Sequence, residues 1–200
     1  PWEPMGLAHG YPGAALFWAE LAREDPAAGR VANGFLREAM NSGDRASNGL
    51  YYGPASLLAA VQTLVFGILQ EYGLRADPDG VDADLSDVNR HYFALGGWFA
   101  VLTDSRGTIV GTAGLHPVEP GVVELRKMYL AKEHRGRGLG KALLLLAMAE
   151  ARRLGFCRMI LETASVLREA VALYRRHGFV VRPGSPCVCR CDMVMERNLD

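Results

Sequence analysis

The sequence predicts an α+β fold in which a helical N-terminal extension precedes a sheet made largely of hairpins. Three observations carry that expectation. Two apolar runs, residues 98–103 and 108–115, are joined through Asp104, Ser105, Arg106 and Gly107, the composition of a hairpin turn. A second breaker-rich turn from Pro117 to Gly121 leads into a third run, residues 122–130. A long apolar helix, residues 139–154, follows that run across a glycine-rich bend. Half of the 200 residues are hydrophobic and 22% are charged, enough to bury a core and too apolar for wholesale disorder.

Each element has a local reason. Residues 14–22 and the group Val31, Phe35, Leu36 and Ala39 fit two short helices, with Asp25 and Pro26 between them as N-cap and first-turn proline. A third helix opens at Pro54, carries Leu57, Leu58, Val61, Leu64, Val65, Ile68, Leu69 and Tyr72 at spacings of three and four, and ends at Gly73. Residues 84–95 read as a short helix stopped by Gly96 and Gly97. After the long helix, residues 158–163 form a strand, residues 167–177 a helix, and residues 180–199 leave room for two strands around Pro183 to Pro186.

Composition excludes several functions. Lysine plus arginine (22) balances aspartate plus glutamate (22), so the net positive field of a phosphate-binding nucleic-acid protein is absent. The longest apolar stretch, residues 57–69, contains Gln62 and Thr63 and is shorter than the roughly 18 to 20 residues of a membrane span. With no basic, apolar leader at the N-terminus, a cytoplasmic protein without nucleic-acid or membrane partners is expected. Cys187, Cys189 and Cys191 alternate as on one strand face, which spreads them too widely for one tetrahedral ion. No metal is expected.

The chemistry concentrates in His134-Arg135-Gly136-Arg137-Gly138-Leu139-Gly140-Lys141, between the strand ending at Leu130 and the long helix. Glycine lets the backbone bend and leaves its N–H groups uncovered, and the helix start adds unpaired donors with the positive end of its dipole. That is an anion cradle suited to a pyrophosphate, with Arg135, Arg137 and Lys141 adding charge. The spacing fits neither the dinucleotide fingerprint nor a Walker A loop.

The run Arg135-Gly136-Arg137-Gly138-Leu139-Gly140 resembles the Gln/Arg-x-x-Gly-x-Gly/Ala motif of the GNAT superfamily of acetyl-CoA-dependent N-acetyltransferases. Upstream, residues 124–130 are similar to that family's fourth strand; downstream, Ala170, Leu173 and Tyr174 with His177-Gly178-Phe179 resemble its A-x-x-L-Y-x-x-x-G-F helix end. The likeness spans residues 57–199. It implies the acyl-CoA N-acyltransferase fold, a mixed, mostly antiparallel sheet with helices on both faces. It also implies acetyl-CoA as co-substrate, its pyrophosphate held by the backbone of residues Arg135 to Lys141 and its pantetheine arm along the strand segment Met128-Tyr129-Leu130. On the same likeness Tyr174 protonates the departing thiolate, and Glu124, placed as in the histone-modifying branch, is the candidate base.

The chemistry independently asks for such groups, because an amine attacks only when neutral while an ammonium of pKa near ~10.4 is mostly protonated at neutral pH. The expected reaction is acetyl transfer to a primary amine of a small molecule or amino acid, by direct attack in a ternary complex. A non-catalytic acyl-CoA-binding module or a decayed fusion is the competing class. Glu124 has a structural alternative, pairing with Arg126. His116, His134 and His177 read as surface or helix-end histidines.

Two features depart from the family pattern. Leu167 stands where many members carry an asparagine, and no strand is found ahead of the helix at residue 54, which would leave residues 98–103 as a sheet edge. Gly6-Leu7-Ala8-His9-Gly10-Tyr11-Pro12-Gly13 and Gly49-Leu50-Tyr51-Tyr52-Gly53-Pro54-Ala55-Ser56 resemble the opening helices of the lanthionine-synthetase cyclase family. Residues 1–56 are therefore expected to form a helical extension without an active site, joined to a domain of residues 57–200. Phe17, Trp18, Leu21, Phe35 and Leu36 must then pack on that domain, on another chain as in a homodimer, or remain poorly ordered.

Overall fold

A computed structural model describes residues 16–17, 30–33, 54–104, 107–183 and 190–199. The strands are β1 Leu16–Phe17, β2 Arg30–Asn33, β3 Trp98–Thr103, β4 Ile109–Glu119, β5 Val122–Leu130, β6 Arg158–Thr163, β7 Val180–Val181 and β8 Met193–Asn198. The α-helices are α1 Pro54–Glu71, α2 Val88–His91, α3 Leu139–Arg153 and α4 Arg168–Arg176. One sheet runs in the order β1-β2-β3-β4-β5-β6-β8-β7, antiparallel at every junction except the parallel β5–β6 pair. The mixed, mostly antiparallel sheet is as expected. Among the described residues no helix is long and apolar enough to cross a membrane.

Alternation along β3 divides the core between two faces. Phe99 and Val101 pack with Val61, Val65 and Leu69 of α1 and with Val88 of α2. Trp98, Ala100 and Leu102 face the opposite way, into a cluster with Leu143, Leu144, Ala147 and Met148 of α3 and Tyr174 of α4. Each fully buried large side chain of these clusters is worth about 1.5–3 kcal/mol, so helices on both faces follow from strands apolar on both sides. Where Tyr92 and Phe99 meet edge to face at 5.0 Å, β4 passes beneath with Gly114, whose added Cβ would lie 2.5 Å from the Tyr92 ring.

Four expectations need correction. Leu16–Phe17 and Arg30–Asn33 are strands, not helical, and β2 pairs antiparallel with β3 from Arg30↔Thr103 to Asn33↔Ala100. The sheet therefore does not lack a strand on that side, β3 is not an edge, and residues before the expected boundary at residue 57 belong to the same sheet. The pairing itself is the physical reason: an apolar edge strand recruits any chain able to extend beside it, whatever its helical periodicity. The remainder of the two expected N-terminal helices, and the cyclase-like glycine runs, lie outside the described residues.

The expected helix over residues 84–95 is broken into a 3-10 turn Ala83–Leu85, α2, and a 3-10 turn Phe93–Leu95. Asp87 accepts a hydrogen bond from the Arg90 N–H at 2.9 Å and starts a new helix, and Gly96 at φ 81° stops the last turn. β4 continues past Pro117 to Glu119, with a ladder irregularity between Pro117 and Glu119 that accommodates the missing donor. Finally, Cys191 precedes β8 rather than lying in a strand, and Cys187 and Cys189 lie outside the described residues.

Candidate active site

The site begins where two strands part. β5 and β6 pair at Val122↔Arg158, Val123↔Met159 and Glu124↔Ile160, and the ladder ends there although β5 continues to Leu130 and β6 to Thr163. Beyond Glu124 no strand among the described residues pairs with the β5 backbone facing β6, which opens a V within the sheet. A bulge adds to it: Thr112 opposes Tyr129 while Gly114 opposes Arg126, and Lys127 takes φ 52°. A hydrogen bond of 2.6 Å from the Thr112 hydroxyl to the Lys127 carbonyl fixes that irregular residue.

The V leads into a cleft of about 960 Å³, walled by residues 124–130, the glycine bend, α4 and the segment at Arg190 and Cys191. At its mouth Gly136 and Gly138 take φ 76° and 79°, left-handed values that a side chain would strain. Gly138 is the N-cap of α3 and offers no side-chain cap. The Arg135 N–H is taken by the Lys132 carbonyl at 3.1 Å, but no group among the described residues accepts the N–H groups of residues 136–141. The uncovered cradle is thus one residue shorter than expected. It presents a set of convergent amides at a helix start, a donor set that fits a diphosphate.

The cationic side chains divide. Arg135 turns away, donating to the Leu130 carbonyl at 2.8 Å and the Tyr72 hydroxyl at 3.1 Å, and pairing with Glu71 at 3.0 Å. It fastens the end of β5 to α1, and its charge is not added to the cradle as expected. Arg137 and Lys141 are exposed beside the bend.

Tyr174 is buried, with its hydroxyl 3.9 Å from the Met128 sulfur. Burial, then the neighbouring Tyr129, pushes its pKa well above the ordinary phenol value. Tyr129 is itself pushed up to about 12 by burial, against the lowering effect of Arg190. Glu124 has the partner that its structural alternative named: Arg126 lies 2.6 and 2.7 Å from one carboxylate oxygen. Burial would lower the Arg126 pKa, but Glu124 more than offsets it and the net shift is upward.

Glu162, on β6 just past the last β5–β6 rung, lines the same cleft, and its carboxylate makes no hydrogen bond or ion pair among the described residues. Partial burial, then the charge of Glu124, raises its pKa. No sequence motif marks Glu162. Strand alternation places it on the face of Ile160, hence of Glu124, but only the β5–β6 register reveals this.

The histidines have local roles. His116 Nδ1 lies 2.8 Å from the His91 carbonyl, and His177 Nδ1 lies 2.8 Å from the Leu173 carbonyl. Nδ1 of His134 is buried without a partner among the described residues. Leu167 takes the N-cap position of α4 without a side-chain cap and lines the cleft. Cys157 lies at the opposite end of β5, its sulfur 3.3 Å from the Gly121 carbonyl, whereas Cys191, passed over as a strand residue, is in the cleft wall. Among the described residues no group of three or more His, Cys, Asp or Glu side chains could hold a metal ion.

The sequence profile of the acetyltransferase (GNAT) family matches residues 66–179. YjgM of Escherichia coli strain K12, named as an uncharacterized N-acetyltransferase, is 39% identical over 125 residues, covering 60% of this chain and 74% of that protein. The crystal structure of a GNAT-family acetyltransferase from Staphylococcus aureus Mu50 superposes with a TM-score of 0.67 at 25% identity, over 72% of this chain and 94% of that one. A Salmonella typhimurium protein, yncA, solved with its cofactor acetyl-CoA, shares the fold with a TM-score of 0.59 at 23% identity, over 75% and 92%. With the profile covering more than half its length and bracketing the strand fork, the amide cradle and the buried tyrosine, the chain belongs to the acetyltransferase (GNAT) family and is an acetyl-CoA-dependent N-acetyltransferase.

Proposed function

We propose that this cleft transfers the acetyl group of acetyl-CoA to a primary amine of a small molecule or amino acid, by direct attack in a ternary complex. The observation that carries the reading is the set of uncapped N–H groups of residues 136–141 at the mouth of a cleft that continues into the β5–β6 fork. The cradle holds the diphosphate, and the edge of the Met128-Tyr129-Leu130 segment that faces the fork, opposite its pairing with β4, receives the pantetheine arm as an added strand would. That seating brings the thioester toward the Met128 and Tyr174 side chains.

The amine nitrogen then bonds to the thioester carbonyl carbon, the carbon–sulfur bond breaks, and the amine's surplus proton leaves to a base. Tyr174 hydrogen-bonds the sulfur as negative charge develops there. For the base, Glu124 is the carboxylate expected from the family likeness, but it is committed to Arg126. Glu162 has no such commitment and its raised pKa makes it the stronger acceptor of a proton, so we assign the removal to Glu162, with Glu124 raising its basicity.

An acceptor screen following thiol release tests the reading. The expected result is thiol release with at least one small primary amine, together with a rise in melting temperature on adding acetyl-CoA. A stabilised protein that releases no thiol with any amine is a binding module. A protein that acetyl-CoA does not stabilise has no functional cradle.

A further inference from the structure

A buried charge cluster joins three segments that frame the cleft. The loop after α1 closes on itself, with the Asp77 N–H donating to Asp82 Oδ2 at 2.9 Å and the Asp82 N–H donating to the Asp77 carbonyl at 2.9 Å. Asp82, whose side chain is 0% exposed, then accepts both arms of the Arg190 guanidinium at 2.7 and 2.6 Å and the Lys127 ammonium at 2.6 Å. Lys127 also donates to the Val81 carbonyl at 2.8 Å and lies 3.1 Å from Asp84. The Tyr92 hydroxyl donates to Asp84 at 2.6 Å, and Arg190 donates to the Arg75 carbonyl at 3.1 Å.

Two carboxylates thus meet one ammonium and one guanidinium, a neutral set in which Asp82 is fully hydrogen-bonded while Asp84 Oδ1 has only its ion pair with Lys127 among the described residues. Such a set adds little net stability relative to an apolar core, but breaking one partner strands a buried charge, so it defines geometry more than it strengthens the fold. Val81, which is 42% exposed, Lys127 and Arg190 all line the cleft, and Cys191 follows Arg190 in its wall. Lys127 turns its side chain to the loop after α1, whereas α3 and its cradle pack on the other face of the sheet. The cluster reaches the reacting end as well, since the Asp84 charge acts on Arg126, the partner of Glu124.

Resting on the acetyl-transfer reading above, we infer that Asp82 and Arg190 form a latch that positions the acceptor side of the cleft, Val81 above all, and leaves the diphosphate cradle on the other face of the sheet alone. Both are positioning residues. The latch holds the loop after α1 against the segment before β8, so the amine meets a wall of fixed width beside Glu124 and Glu162. Lysine at position 190 would make only one of the two parallel bonds, so it restores part of the effect.

The test is steady-state kinetics on the full chain with R190Q and R190K, using the best amine of the acceptor screen. R190Q raises the KM for the amine about tenfold while the KM for acetyl-CoA stays within about twofold, and R190K falls between it and wild type. The double variant D82N/R190Q costs less than the sum of D82N and R190Q, because the two residues share one interaction, while D82N also releases Lys127. An unchanged amine KM in folded, active R190Q overturns the inference. So does a parallel rise of both KM values, which reports general loosening. Absence of turnover by the wild-type chain on every amine overturns the acetyl-transfer reading, and this inference with it.

Discussion

At the scale of single residues, the acidity of Tyr174 decides what kind of acid it is. A thiol of pKa near ~8.5 is a stronger acid than an ordinary phenol near ~10, and burial widens the gap by pushing Tyr174 upward. Full proton transfer from Tyr174 to a thiolate would therefore run uphill. Its benefit is a hydrogen bond to sulfur while the carbon–sulfur bond breaks. Y174F is expected to lower kcat about tenfold, leave the KM for acetyl-CoA nearly unchanged and add no new limb to the pH profile. A loss of a thousandfold or more would make the tyrosine a true proton donor. Glu162 gives the complementary pH behaviour. As a base it works ionised, and its raised pKa means that kcat/KM falls as pH drops through a value higher than that of an unperturbed glutamate. The charged groups that share its face are Glu124 and Arg126 on β5, Arg158 on β6 and Glu196 on β8, with Arg190 across the cleft. E162Q is expected to flatten that acid limb and cost about a hundredfold in kcat/KM, whereas E124Q moves the limb toward lower pH by removing the charge that raises Glu162. The reverse pattern would return the proton to Glu124.

At the scale of elements, the cradle depends on backbone shape at one position and on space at another. Gly138 holds φ 79°, so G138V strains the bend by about 1–3 kcal/mol and reshapes the amides beside it. Acetyl-CoA affinity measured by calorimetry is expected to fall about a hundredfold, with a lower melting temperature; retained affinity would show that these amides hold nothing. At Gly140 an added Cβ meets Leu173 Cδ2 at 3.7 Å, an ordinary contact, so G140A is expected to leave the melting temperature within about 2 °C. β5, α3, β6 and α4 were legible because their signals are local: alternation, a glycine-rich start, apolar positions at helical spacing. The 84–95 segment kept its helical pattern in sequence, yet Asp87 restarts the chain by capping Arg90, a competition between two local signals that periodicity does not rank. β2 is hidden from the sequence for the opposite reason. Nothing in Arg30–Asn33 announces a strand; the edge of β3 makes it one.

At the scale of the whole molecule, the distance along the chain sets what a sequence can disclose. The glycine bend and the tyrosine helix declare themselves within a few residues, but Asp82 meets Arg190 across 108 positions and Lys127 across 45, and no spacing rule connects them. The same long-range tie makes stability depend on pH. Burial alone would raise the Asp82 pKa, but the hydrogen bonds from Arg190 and Lys127 outweigh it and bring the group down to about 2 from 3.8. A depressed carboxylate contributes stability that is fully present above its unfolded pKa and is lost as pH falls toward its folded one. Asp82 should therefore contribute about 2 kcal/mol at neutral pH that disappears between about pH 4 and pH 2. Melting temperature followed from pH 7 to pH 2 is expected to drop most steeply in that window. In R190Q one of the two cations is gone, so the Asp82 pKa rises and the drop begins at higher pH. Identical pH profiles for wild type and R190Q would mean that the guanidinium does not hold this carboxylate ionised, and that the three segments around the cleft are joined by packing instead.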